Sequence, residues 1–174
     1  MNDSRRLLQH FLAALAYRTQ KALRGAPPSF AEFSAGMKVR TPHELLWHMT
    51  GLIGYARTMF HGGSFQPPRL ATLDAEVDRF HEMLRALHDD FGNESLEASI
   101  SDEQFLHGPL SDTMTHVGQL AMLRRLEGAP VPSENFIYAA ISPANLSRQQ
   151  ADPARPDADW SPQLGHRPPG ERRR

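Results

Sequence analysis

The sequence predicts an all-α protein: a four-helix bundle with a short extra helix and an irregular C-terminal tail. Three observations carry that expectation. Four segments place apolar residues in steps of three and four, glycine and proline separate those segments, and no stretch shows sustained two-residue alternation between turn signals. Helices with one apolar stripe bury it against one another, which gives a bundle.

The first helix is expected from about Asn2 to Arg24, where Leu8, Phe11, Leu12, Leu15 and Leu23 recur before Gly25-Ala-Pro-Pro stops the segment. Its start, Ser4-Arg5-Arg6-Leu7-Leu8, is read as helix and not as a twin-arginine leader, because Gln9, His10 and Arg18 interrupt the apolar run. The second helix has the clearest opening. Thr41 suits the N-cap, Pro42 the first helical position, and Glu44 the place from which a carboxylate reaches back to the cap amide. Leu45, Met49, Leu52, Ile53, Ala56 and Phe60 then form a stripe up to Gly62-Gly63. Gly51 and Gly54 lie within it and read as a point of close helix contact.

The third helix, from about Leu70 to Phe91, carries Leu73, Val77, Phe80, Leu84, Leu87 and Phe91 as a bundle seam. The fourth follows Gly108, with Pro109 in its first turn, and ends at Glu127 before Gly128-Ala-Pro130. A short fifth helix fits Ser133 to Ala140. Residues 143–174 form a polar, proline-rich tail, partly disordered, in which Trp160 is the residue suited to pin the tail to the bundle.

Composition narrows the function. At 174 residues, 40% hydrophobic and 22% charged, the chain fits one globular domain, residues 1–142, followed by that tail. A net charge of −1 gives no footprint for nucleic acid. No run approaches the roughly 18 apolar residues of a membrane span, so the chain reads as cytoplasmic with no membrane partner. Cysteine is absent, so thiolate catalysis and cysteine-based metal sites are excluded, and any metal must be held by nitrogen and oxygen.

Three residues carry a candidate site: His48 in the second helix, and Asp112 and His116 in the fourth. The spacing i, i+4 sends Asp112 and His116 off one helix face a turn apart, as two ligands of one ion require. Two imidazoles and one carboxylate suit zinc with an open position or a non-haem iron facial triad. Plainer readings stand beside this. Asp112 in a first turn complements the helix dipole without any other role, and His48 between Trp47 and Met49 also reads as a core histidine. Gln119, one turn beyond His116, is placed to bond a ligand or simply to lie between helices. Tyr17 and Tyr55 are placed either to aim a hydroxyl at the pocket or to pack with it satisfied, and His107 either to reach the mouth of the site or to end a loop. His43 reads as an exposed first-turn residue, and His81 and His88 as part of a solvated face. Arg124 and Arg125 read as cations complementing the C-terminal dipole of their own helix.

Glu44-Leu-Leu-Trp-His48-Met-Thr-Gly and His116-Val-Gly-Gln-Leu-Ala-Met-Leu-Arg-Arg-Leu-Glu-Gly, in this helix order, resemble the DinB-like (DinB/YfiT-type) family of four-helix-bundle metalloproteins over roughly residues 1–142. The resemblance implies a divalent metal, such as zinc, nickel, iron or manganese, held by a second-helix histidine and an H-x-x-x-H pair on the last bundle helix. The matching positions are His48, Asp112 and His116, with Asp112 where the family usually has a histidine. It further implies a homodimer and a small-molecule substrate. In some members the substrate is a low-molecular-weight thiol used for transfer or isomerisation. The expectation from another class is a non-catalytic bundle dimer, stress-related or a scaffold, with structural metal or none. An accessible cavity at the three residues distinguishes the enzyme from that filled core.

Overall fold

The computed structural model describes residues 3–156. Four long helices build it: α1 Asp3–Leu23, α2 Pro42–His61, α3 Leu73–Gly92 and α5 Ser111–Leu126, with a single helical turn, α4 Asp102–Phe105, leading into the last. Each long helix packs against two others, so the order around the bundle is α1, α3, α2, α5. The described residues contain no strand, only an isolated bridge between Glu134 and Pro156.

The helix starts follow their sequence signals. Thr41 Oγ1 accepts from the Glu44 amide (3.3 Å) while Glu44 Oε2 accepts from the Thr41 amide (3.0 Å), completing the capping box of α2. Thr72 caps α3 in the same way from one side, accepting from the Ala75 amide. The fourth bundle helix opens differently from expectation. Ser101 and Gln104 form a capping box that starts α4, and the chain continues through Leu106–Leu110 into α5 with a kink at Gly108 (φ −86°, ψ −111°). The proline ring of Pro109 disfavours helical backbone at the residue before it, which places the kink there. The fifth helix expected over Ser133–Ala140 is reduced to a 3₁₀ turn, Phe136–Tyr138.

The core runs along the shared axis through Leu12, Leu15, Leu46, Met49, Ile53, Phe80, Leu84, Leu87 and Leu120, all fully buried. Phe60, Phe91 and Phe105 close one part of it as a mutual ring cluster, with centroids 5.1 to 5.6 Å apart. Gly54 makes its close contact with the Phe65 ring from the loop after α2, and Gly51 has open space. The expected helix contact is therefore a loop contact.

Three polar residues sit elsewhere than their local sequence suggests. His81 is not on a solvated face: it is 1% exposed, accepts at Nε2 from Gln20 (2.8 Å) and donates from Nδ1 to the Leu146 carbonyl (2.7 Å). The segment after the bundle covers it. Leu146 is buried, Arg148 pairs with Asp74 and Asp78, and Asp152 pairs with Arg24, so residues 146–152 lie along the helices. His43 is likewise buried, its Nδ1 3.1 Å from Glu32 Oε1 on the 3₁₀ turn Pro28–Glu32. Arg124 is 4% exposed and serves a neighbouring helix: its guanidinium donates to the carbonyls of Ala22, Leu23, Arg24 and Gly25 at the end of α1, and to that of Ala129. Carbonyls at a helix end lack the usual intrahelical donor; here Leu23's also accepts from the Ala26 amide (3.0 Å). Trp160 and the last part of the tail lie outside the described residues.

Candidate metal centre

The contact of α2 with α5 brings His48, Asp112 and His116 together, each offering one ligand atom within 4.8 Å of the others. This is a group that can hold a metal ion. His48 and His116 meet edge to face, with ring centroids 4.8 Å apart. His116 Nε2 lies 3.3 Å from Asp112 Oδ1, the separation produced by one helical turn.

These spacings fit a small divalent ion. Two ligand atoms bonded at about 2.0–2.1 Å in a tetrahedron stand about 3.3–3.4 Å apart, so the Asp112–His116 pair already has that span. The set as a whole is wider, with its ligand atoms within 4.8 Å of one another.

His116 is held from behind. Its Nδ1 lies 3.0 Å from Gln119 Oε1, an acceptor that fixes the proton on Nδ1 and leaves the Nε2 lone pair facing the Asp112 carboxylate. Two acceptors face to face at 3.3 Å require a proton or a cation between them. Histidine ligands commonly have such an outer acceptor, which sets tautomer and ring orientation. His48 is held below the ordinary histidine pKa, first by burial and then by the positive charges of Arg40 and His116, against the pull of Asp112. Neutral imidazole is the form that ligates.

The site is graded from buried to open. The side chain of His116 is 9% exposed, His48 is half-buried, and the Asp112 carboxylate is 50% exposed. Beside it lies a cleft of about 530 Å³ lined by Lys38, Val39, Arg40, Leu45, Gln119, Met122 and Leu123. Gln119 belongs to both, lining the cleft while bonding His116. None of the three candidate ligands lines that cleft, which reaches the group through Gln119, and none lines a second, largely apolar cleft of about 450 Å³ between α1 and α4.

Of the other residues singled out from sequence, only Gln119 joins the site. The Tyr17 hydroxyl donates to Glu134 Oε1 (2.7 Å), and burial together with that carboxylate raises its pKa. Tyr55 and His107 are exposed. Lys38 and Arg40 carried no motif and were not anticipated. Their only sequence signal is a pair of cations just before the α2 cap.

Compared with protein-family models, with curated proteins and with solved structures, the chain matches none.

Proposed function

We propose that this protein is a divalent-metal-dependent enzyme of the DinB-like type acting on a small molecule, with His48, Asp112 and His116 as the metal ligands. The observation that carries the proposal is the convergence of two imidazoles and one carboxylate from two helices, with one imidazole oriented by Gln119. Zinc, nickel, iron and manganese all suit such a donor set. The half-exposed carboxylate and the adjoining cleft favour an accessible centre over a structural ion sealed in a core.

When bound, a divalent ion supplies Lewis acidity, lowering the pKa of a thiol or water and polarising an electrophile. The chain supplies the rest. His116 is oriented by Gln119, burial favours the neutral form of His48, and the Asp112 carboxylate is half-exposed and so open to an incoming group. Because the chain has no cysteine, a nucleophilic thiol is brought by a low-molecular-weight cosubstrate. Thiol transfer and small-molecule hydrolysis are the reactions compatible with this set.

The test is elemental analysis of untagged protein purified without chelator, beside the His48→Ala variant. One equivalent of transition metal that disappears in the variant supports the reading and directs assays to thiol cosubstrates with electrophiles. Absence of metal after anaerobic reconstitution with zinc, nickel, manganese and ferrous iron overturns it and leaves a non-catalytic bundle.

A further inference from the structure

We infer that the cleft beside the triad is an anion-binding subsite, in which Lys38 and Arg40 receive the carboxylate of a small organic acid whose apolar body lies toward Gln119 and the His48/Asp112/His116 group. Three independent features of the cleft carry this.

The first is unpaired charge. Lys38 and Arg40 both line the cleft, both are exposed, and neither forms an ion pair with a carboxylate among the described residues. Glu44, on the adjoining turn of α2, is engaged by Arg69 (3.7 Å), and Glu32 faces His43 (3.1 Å). Most of the other arginines with a structural role in the bundle have such partners, among them Arg57 with Asp90, Arg79 with Glu76 and Arg148 with Asp74. The positive charge of Arg40 is felt at His48, so the two lie within electrostatic reach.

The second is the backbone that carries them. Gly36 (φ 78°), Met37 (φ 53°) and Lys38 (φ 60°) are three successive residues at positive φ, and two of them are not glycine. Such backbone is costly for residues with a Cβ and is commonest at ligand-binding positions. Met37 gains nothing by packing, being 95% exposed. The turn, closed by the Val39 amide donating to the Gly36 carbonyl (2.9 Å), sets Lys38 at the cleft wall.

The third is the lining. Val39, Leu45, Met122 and Leu123 give an apolar surface, and Gln119 a polar end next to His116. About 530 Å³ lies in the range that takes a small-molecule ligand. Charge adds to this: two neutral imidazoles and one carboxylate leave a divalent ion with one net positive charge, so the cleft and the centre would both attract an anion. The position of the reacting centre rests on the proposed metal reading; the anion subsite itself does not.

The test is a titration of the full chain, metal-free and zinc-loaded, with phenylacetate and with its neutral isostere phenylacetamide, at low salt. The wild type should bind phenylacetate about tenfold more tightly than the amide, and the Lys38→Gln/Arg40→Gln double variant should reduce that preference below about twofold. The charge-conserving Lys38→Arg/Arg40→Lys variant should keep most of it. Zinc content should be equal in all three. No saturable phenylacetate binding, equal affinity for acid and amide, or a preference that survives the neutral double variant overturns the inference. A preference without zinc uptake sinks the metal reading and leaves the anion subsite; zinc uptake without a preference does the reverse.

Discussion

His116 Nε2 faces Asp112 Oδ1 at 3.3 Å, one turn apart on α5, while its Nδ1 is occupied by Gln119 at 3.0 Å. On the proposed metal reading, these two atoms are neighbouring ligands of one ion, and Gln119 orients the imidazole behind them. Asp112→Ala should therefore lower zinc affinity by at least about tenfold, whereas Asp112→His, which restores two imidazoles at i, i+4, should keep one equivalent of zinc. Competition against a chromophoric chelator measures both. Unchanged affinity in Asp112→Ala removes that residue from the site.

Gln119 offers a finer test because it bonds His116, a proposed ligand, without itself belonging to the proposed ligand set. Gln119→Leu removes the acceptor behind His116 and should cost about 10- to 100-fold in zinc affinity with helical content unchanged, since the residue is exposed. Gln119→Glu keeps an acceptor at that place and should retain most of the affinity. If leucine and glutamate behave alike, orientation of His116 does not depend on this bond.

The signals that the sequence carried were local ones. The Thr41, Pro42 and Glu44 cap, the stripes of three and four, and the i, i+4 pair on α5 depend on neighbours within a turn, and the structure has them where expected. Errors arose where a distant segment decides the environment. His81 lies beside Asp78 and Glu82 on α3, which suggest solvent, yet Leu146, 65 residues later, covers it. His43 is enclosed with Glu32 from the preceding turn, and Arg124 is claimed by the end of α1, about 100 residues earlier in the chain. Each is a contact that no helical period encodes. Ser101-Asp-Glu-Gln104 is a different case, a capping box that was present in the sequence and simply precedes too short a helix to show an apolar stripe.

Arg124 should be a stability residue with no part in the site. Its charge is buried among carbonyls of Ala22, Leu23, Arg24, Gly25 and Ala129, and burial pulls its pKa down from the ordinary arginine value. Arg124→Leu removes the side-chain donor from those carbonyls, of which Leu23's keeps the Ala26 amide, and should destabilise by about 2–3 kcal/mol in urea. Lysine should recover only part, because an ammonium cannot fan out to five acceptors. Zinc stoichiometry should not change; loss of zinc in a still-folded variant would place Arg124 in the site after all.

His81 gives the chain a sensitivity to acid. Burial, first among the causes, holds its pKa down from 6.5 to about 4, and Gln20 and the Leu146 carbonyl together fit the neutral Nδ1–H tautomer. The sign follows from which state takes the proton first. Above pH 6.5 the ring is neutral folded and unfolded, so it adds no pH dependence. Between 6.5 and 4 the unfolded chain binds a proton that the folded chain refuses, and stability falls as pH falls; below 4 both states are charged and the loss levels off. From pH 7.5 to 4.5 this amounts to about 2–3 kcal/mol. The residue also holds the segment around Leu146 against α3, so protonation should release that segment before the bundle opens. Urea unfolding at the two pH values, for wild type and His81→Gln, isolates the effect: the wild type should lose about 2–3 kcal/mol more than the variant, and amide exchange near residues 145–150 should rise first. Equal losses in the two proteins would mean that His81 is protonated in the folded state without cost.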